Sequence, residues 1–338
     1  MKIGIHFSKS TFSDRWISYC ERNGIDYKVV NCFNNNIIRQ LDDCSALMWH
    51  HSQTNPKSIL VAKQILFALE QSGKRVFPDF KTGWHFDDKL GQKYLLESIG
   101  APLVPTYVFY SSIDALNWVN RTTFPKVFKL RRGAGSSNVK LAKNATSARK
   151  IIRKAFGRGI NNYNSLAKIK DIIQKVISKK ATYNELLKGV AHVFLEPRYS
   201  EVVGKERGYV YFQDFIPHND HDIRIIVIDN KAFAIKRLVR THDFRASGSG
   251  LIYYEKELFN EITIRLAFDL AKKLGVQCVA FDFVYDNETP LLLEISYGFV
   301  PDGYDKCPGY WTDNLEWIDG DFDPYGWMVD ALIRDLHE

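Results

Sequence analysis

The stretch from Tyr209 to Gly250, YVYFQDFIPHNDHDIRIIVIDNKAFAIKRLVRTHDFRASGSG, constrains the fold of this chain more than any other. It reads as three strands. YVYFQDFI is apolar with an acidic interruption, and DIRIIVI is nearly continuous and β-branched, as in a strand buried on both faces. Asp229-Asn230 reads as a tight turn, Asn tolerating positive φ, after which KAFAIKRL returns. Charged groups sit inside this apolar frame: Asp214, Asp222, Arg224, Lys236, Arg237 and Arg245. Burying a charge is costly unless it is paired or meets a ligand. The stretch ends in DFRASGSG, whose small residues leave backbone N–H groups open beside an arginine suited to an anion.

A late segment, VQCVAFDFVYDNETPLLLEIS, is the most informative chemically. A turn centred near Glu288, with a loop from Asp286 to Pro290, pairs Tyr285 with Leu291. Counting back along both strands then sets Asp282 opposite Glu294, with Ser296 two residues further on the same face. Two carboxylates facing each other across a ladder repel. A divalent cation removes the penalty, and oxygen ligands suit magnesium; a solvated acidic pair is the alternative.

The remaining chain supplies the frame. Residues 1–85 alternate strand and helix: KIGIHF, a helix capped by Ser13 and stopped by Gly24, DYKVVNC, a helix over NNIIRQLDDC, SALMWHHS, a helix from Pro56 and KRVFPD. Such alternation predicts a small parallel α/β unit, Rossmann-like but without G-x-G-x-x-G. His50 and His51 end a strand, where ligands often sit, but a loop pair of histidines without a role is the preferred reading. Asp87 or Asp88 caps a helix that Gly100 ends. Lys89 then falls in the first turn, where the helix dipole does nothing for a cation. FPKVFKLRRGAGSSNVKLAK reads as strand, glycine-rich loop and strand, with Lys129 among apolar neighbours. The loop lacks the Walker A spacing, and its free N–H groups could cradle phosphate oxygens or simply turn a hairpin. A helix over residues 256–274 ends at Gly275, and the aromatic tail reads as ordered but irregular before a final helix.

Charge is unevenly spread. Residues 145–208 hold 14 Lys and Arg against 5 Asp and Glu, a net +9 in a chain of net +7. These residues read as amphipathic helices whose basic faces are either solvated or hold an acidic partner. No apolar run reaches the roughly 18–20 residues of a membrane span, and MKIGIHF lacks the features of a signal peptide. Five scattered cysteines without a CxxC predict a reducing cytoplasm and no structural zinc.

From about Asp88 to Ser296 the pieces stand in the order and spacing of the ATP-grasp superfamily, which the chain resembles: DK before a helix, FPKVFKLRRGAGSSNV, FQDFIP, HDIRIIV, KR…DFRASGSG and AFDF…LLLEIS. The resemblance implies mixed α/β and α+β architecture. An α/β domain over 1–86 would precede an ATP-grasp domain over 87–338, with a basic helical insertion at 145–208 and a metal- and nucleotide-binding part at 209–338.

It also implies ATP and Mg2+ as cofactors. Lys89 and Lys129 would neutralise phosphates. Gly133 to Asn138, with Gly133, Gly135, Ser136 and Ser137, would form a flap over the triphosphate. Gln213, Asp214, Phe215 and Ile216 would line the adenine and hinge, and Asp222 would lie near the ribose. Asp282, Glu294 and Ser296 would hold magnesium, while Arg224 and Arg245 would clamp the transferred phosphoryl group and the acyl phosphate. Three features depart from the family pattern: Ser296 where an amide or acid is usual, Asp214 in place of Glu, and the long insertion.

The implied activity is an ATP-dependent carboxylate–amine ligase acting through an acyl phosphate. The DFRASGSG loop and the insertion resemble branches associated with surface-polysaccharide assembly, in which an amino acid is joined to a sugar acid. An anionic substrate at the basic insertion would fit, and a homodimer is left open. The alternatives are a phosphotransferase on an anionic hydroxyl acceptor and a nucleic-acid-binding protein using the basic helices. Few aromatics and no reading motif disfavour the last.

Overall fold

The computed structural model describes residues 1–9, 11–133, 138–161, 202–240 and 243–337. Two compact units emerge: Met1–Ser52, Lys57–Val104 and Ile216–Glu338 form the first, and Gln53–Pro56 with Pro105–Phe215 the second.

The first unit opens with β1 (Ile3–His6), α1 (Phe12–Asn23), β2 (Tyr27–Val30), α2 (Ile37–Gln40), β3 (Ala46–Met48), α3 (Pro56–Gln71) and β4 (Arg75–Phe77). The strands are all parallel, in the order β2-β1-β3-β4, as alternation with helices leads one to expect. The cap of α1 is Thr11 rather than Ser13: the Thr11 side chain accepts from the Ser13 N–H, while the Ser13 hydroxyl is spent on the Ser8 carbonyl. Gly24 ends the helix at φ 64°, a left-handed position that favours glycine. The helix expected over NNIIRQLDDC shrinks to the four residues of α2. After the short α4 (Phe80–Gly83), Asp88 caps α5 (Lys89–Ser98) by accepting from the Gly91 N–H.

The second unit contains β5 (Thr106–Phe109), α6 (Ser112–Val119), β6 (Lys126–Lys129), β7 (Lys140–Ala142), α7 (Ala145–Phe156), the short pair β8 (Ile160–Asn161) and β9 (Lys205–Glu206), and β10 (Val210–Asp214). An antiparallel sheet, β5-β10-β6-β7, packs Phe128, Val210 and Phe212 against Ala115, Ala148 and Ile152 of its two helices. Of the basic segment, α7 is helical as expected; its stretch 162–201 lies outside the described residues, as do 134–137 of the glycine-rich loop.

The chain then returns to the first unit with β11 (His221–Ile228), β12 (Lys231–Leu238), β13 (Ile252–Tyr253), α8 (Glu261–Leu274), β14 (Cys278–Asp286), β15 (Thr289–Ser296), β16 (Gly309–Thr312), β17 (Trp317–Asp319) and α9 (Pro324–His337). These strands form a sheet in the order β15-β14-β11-β12-β16-β17, with β13 on β12. The opening stretch thus does yield three strands, but they belong to two sheets: β10 pairs with β5 and β6, whereas β11 and β12 pair with each other. At their turn it is Asp229, not Asn230, that takes positive φ.

Alternation along β11 sends Ile223, Ile225 and Val227 towards α8, and Ile226 and Ile228 into a second core with β1, α1 and α9. That second core joins Ile3, Met48 and Phe77 of the first sheet to Phe233, Ile235 and Cys278 of the large one. The boundary expected at residues 86 and 87 therefore falls inside one continuous core. On this face of β12, β11 and β14 the apolar residues give way, towards one end of the strands, to Arg237, Asp222, Arg224 and Asp282. The apolar half anchors the strands, and the charged half is the candidate site.

Candidate active site

The register sets the site. Asp282 faces Glu294 across β14 and β15, as expected, but by a different route. The turn is tighter than the sequence reading: Asp286 pairs with Thr289 and Tyr285 with Pro290. A bulge between Asp282 and Phe283 absorbs Leu293 and restores the pairing of the two acids. Ser296 follows on the same face, opposite Ala280; its hydroxyl donates to the Gly298 carbonyl and accepts from the Gly298 N–H.

On the other side of Asp282 lies Arg224, its direct partner on β11, and Asp222 faces Arg237 across β11 and β12. Arg224 donates Nε to Asp282 Oδ1 and Nη2 to Oδ2. Arg237 donates Nε and Nη2 to the two oxygens of Asp222, at 2.6 and 2.8 Å, and Nη2 also to Asp282 Oδ1 at 2.9 Å. Four charges thus interlock on one sheet face, two of each sign, with Asp222, Arg237 and Asp282 all buried. Burial pushes the Asp282 carboxyl up, but the two guanidinium groups outweigh it and hold the acid at about 2. For Asp222 burial prevails, reinforced by the negative charge of Asp282, and its pKa is raised.

Lys89 enters from α5. Its Nζ lies 3.2 Å from Glu294 Oε2, and α5 is fastened to β15 where Gln92 Oε1 accepts from the Ile295 N–H. Burial alone would lower the Lys89 pKa; Glu294 and Asp87, with Asp282 beyond, raise it instead. The puzzle of a lysine at a helix N-terminus is answered by these carboxylates. Glu294 keeps its side chain one-third exposed, at 33%.

The end of β3 closes in on the same strand end. His50 stacks on Phe12 and accepts the Phe12 N–H at Nδ1, and burial lowers its pKa to about 3. A Cβ on Gly298 would stand 3.0 Å from His50 Nε2, a tight contact that the glycine avoids. Arg245 is held within its own loop by Asp243, which takes hydrogen bonds from both Nε and Nη2.

In the second unit, Lys129 is buried on β6 opposite Tyr211 of β10. Asp214 binds Lys126, its cross-strand partner, whose ammonium sits 5.1 Å from the Tyr107 ring centre. Gln213 donates to Thr106 Oγ1, and its own buried Oε1 has no partner among the described residues. Phe215 ends this unit and Ile216 begins the return to the first. Gly133 takes φ 127°, whereas Gly135, Ser136 and Ser137 lie outside the described residues.

The first unit thus brings together Lys89, Asp222, Arg224, Asp282 and Glu294, with Ser296 one step along. Arg237, which binds both acids of the core pair, is a further member of the site. The hairpin at Asp229-Asn230 was enough to find it, since counting outward from that turn sets Asp222 opposite Arg237. Lys126 carried no such signal, because β10 and β6 are far apart in sequence.

No protein-family model matches the sequence, and no curated protein matches it. Solved structures do. A RimK domain ATP-grasp protein from Sphaerobacter thermophilus is 13% identical with a TM-score of 0.56, covering 98% of this chain and 100% of its own. The D-alanine–D-alanine ligase of Bacillus anthracis, complexed with ATP, is 12% identical with a TM-score of 0.56, covering 99% and 96%. The chain has the ATP-grasp fold. The ATP-grasp ligase PsnB, complexed with a minimal precursor, Mg and ADP, is likewise similar at 12% identity and a TM-score of 0.54, covering 100% and 98%. At such identities the likeness is one of fold.

The paired acids are where the residues present can be weighed against a metal. Asp282 and Glu294 share one face and offer oxygen only, as a hard divalent cation needs, but Asp282 already accepts from Arg224 and Arg237 and Glu294 pairs with Lys89, so a cation would take their remaining lone pairs or displace a side chain. Among the described residues no group of three or more His, Cys, Asp and Glu gathers in metal-binding geometry. The five cysteines are buried and free, and no described helix is long and apolar enough to cross a membrane.

Proposed function

We propose that the protein is an ATP-dependent ligase that joins a carboxylate to an amine through an acyl phosphate, releasing ADP and phosphate. The observation that carries this reading is the pairing of Asp282 with Glu294 across a hairpin, flanked by Arg224, Arg237 and Lys89. In this reading Asp282 and Glu294 hold magnesium, with the Ser296 hydroxyl on the same face as a weaker third oxygen. Bound there with its metal, the nucleotide supplies the phosphoryl group that makes a poor electrophile, the carboxylate, into a good one.

The residues of the chain do the rest by position and charge. Arg224 and Arg237 keep Asp282 ionised in a buried setting. Lys89, exchanged off Glu294, turns to phosphate oxygens. Arg245 releases Asp243 to clamp an anionic group in the same way. Asp222 orients Arg237, since that guanidinium takes both its oxygens, and this assignment replaces the one near a ribose. Lys129, Gln213, Asp214, Phe215 and Ile216 are assigned to the nucleotide, with Lys126 setting the orientation of Asp214; Gly133, Gly135, Ser136 and Ser137 are assigned to a phosphate-covering flap. We assign the amine to an amino acid and the carboxylate to a sugar acid of a surface polysaccharide or its precursor, attracted by the net +9 of residues 145–208.

The test is ADP release by the full chain with Mg2+ and ATP, screened over amino acids and sugar acids, with mass spectrometry of the product. Release that needs both an amine and a carboxylate, with an amide formed, supports the reading. Release that needs only a hydroxyl compound and yields its phosphate ester makes the protein a phosphotransferase instead.

A further inference from the structure

His50, next to Trp49 at the end of β3, takes no part in the carboxylate–arginine network. Its Nδ1 accepts the Phe12 N–H at 3.1 Å, and its ring is stacked on the Phe12 ring with centres 3.6 Å apart. An imidazole nitrogen that accepts a hydrogen bond carries no proton, so in the neutral ring the proton sits on Nε2. Burial lowers the pKa to about 3, which keeps the ring neutral at ordinary pH. His50 therefore presents an N–H donor whose direction is set by the Phe12 stack and the Phe12 backbone.

That donor points to the end of β15. Nε2 faces the backbone of Gly298, where a Cβ would stand 3.0 Å from it. Gly298 lies in the turn made by Ser296, whose hydroxyl bonds both its N–H and its carbonyl, and Ser296 shares the strand face of Glu294. The donor is also uncovered. The His50 ring is half-buried, and Nε2 reaches solvent without a hydrogen-bond partner among the described residues. Any side chain at position 298 would crowd this nitrogen, and glycine leaves it open.

We propose that His50 Nε2–H binds the carboxylate substrate, donating to one of its oxygens beside the Ser296–Gly298 turn. A neutral N–H cannot accept from an ammonium, so this position selects the acid over the amine. The N–H that His50 accepts is the first of α1 after its Thr11 cap, so the ring extends the positive end of that helix towards the anion. No described carboxylate bears on the ring to repel one. Naming this acid as the one to be activated rests on the ligase reading; the donor itself does not.

NMR of the full chain with 15N-labelled histidine reads the donor directly, with acetate as the carboxylate, methylamine as the cation and inorganic phosphate as a second anion, all at constant ionic strength. The free protein should show His50 protonated at Nε2 and bare at Nδ1. The Nε2 signal should shift saturably with acetate, and not with methylamine or phosphate. His50→Asn keeps an acceptor for the Phe12 N–H but has no donor at the far nitrogen. Acetate affinity, followed at the Gly298 backbone amide, should fall about tenfold in it, the scale of one lost charge-assisted hydrogen bond. His50→Gln, whose amide reaches the far position, should restore much of that loss. A ring protonated at Nδ1, no saturable shift with acetate, an equal response to methylamine or phosphate, or unchanged affinity in His50→Asn overturns the proposal. Acetate bound at His50 by a protein that forms no amide keeps the donor site and sinks the ligase reading instead.

Discussion

Arg224 grips Asp282 from the position directly opposite it on the adjacent strand, Nε to Oδ1 at 2.5 Å and Nη2 to Oδ2 at 2.6 Å. The planar fork of a guanidinium matches a carboxylate in this way, and Arg237 adds a third hydrogen bond. Asp282 is therefore an ionised, pre-oriented acid whose charge is set by the sheet itself. Glu294 is paired with Lys89 and keeps its side chain 33% exposed. The two acids of the pair are held very differently, and their substitutions should behave differently.

Asp282→Asn removes the charge that two largely buried guanidinium groups share. Breaking a buried pair from one side costs about 3–5 kcal/mol, so a loss of several kcal/mol in denaturant unfolding is expected. Glu294→Gln takes one carboxylate from Lys89, whose side chain is 10% exposed, while Asp87 stays beside it, so a smaller loss of about 1–3 kcal/mol is expected. Both should abolish Mg2+-dependent ATP turnover. Normal turnover in the well-folded Glu294→Gln protein would remove the metal assignment.

Acid should find the same network. The Asp282 pKa lies at about 2, below the ordinary 3.8. A carboxylate depressed in the fold contributes stability that is whole above its unfolded pKa and drains as pH falls from about 4 towards 2, here about 2 kcal/mol. Asp222 has the opposite sign: its raised pKa costs stability while it is ionised, and that cost is relieved as pH falls through its folded value towards 3.8. Urea unfolding from pH 6 to pH 2 should show the fall below pH 4 in the wild type and a shallower one in Asp282→Asn, where other depressed carboxyls, Asp43, Asp220 and Asp243, still contribute. An identical slope in the two proteins would count against the clamp.

Much of the site could be read because it is local. Asp282 and Glu294 lie on one hairpin, and period-two alternation fixes which side chains share a face, although the count succeeded only because a bulge at Leu293 offset a turn shorter than assumed. Asp222 and Arg237 were equally countable across the Asp229 turn. What could not be read depends on long-range pairing. Nothing near Asp214 in sequence points to Lys126, nor anything near Glu294 to Lys89, because sheet order and helix docking bring them together. Thr11 took the cap expected of Ser13 because Ser13 is buried against the Ser8 backbone. The split of β10 from β11 was likewise hidden, since a strand's own residues do not name its sheet.

The pair of Lys126 and Asp214 should act as a coupled unit in the second sheet. The lysine side chain is 5% exposed and its partner 28%, so Asp214→Asn strands a nearly buried ammonium. Lys126→Met with Asp214→Leu removes both charges together. The single change should destabilise more than the double, with a coupling energy of about 1–3 kcal/mol in a denaturation cycle. Additive effects would mean that the contact contributes nothing.

A tight approach between the end of β3 and the end of β15 can be probed at Gly298. Its backbone meets His50, whose ring is stacked on Phe12 and whose Nδ1 is tied to the Phe12 N–H, so the ring cannot easily withdraw. Gly298→Ala sets a methyl 3.0 Å from His50 Nε2 and 3.5 Å from Phe86. Overpacking of this kind costs about 1–3 kcal/mol, seen as a drop in denaturation midpoint. His50→Ala removes the obstacle, so the methyl should cost much less in that background than in the wild type. If Gly298→Ala is equally costly in both, the strain lies in the Ser296–Gly298 turn rather than at the histidine, and the two strand ends are not in mutual contact through that ring.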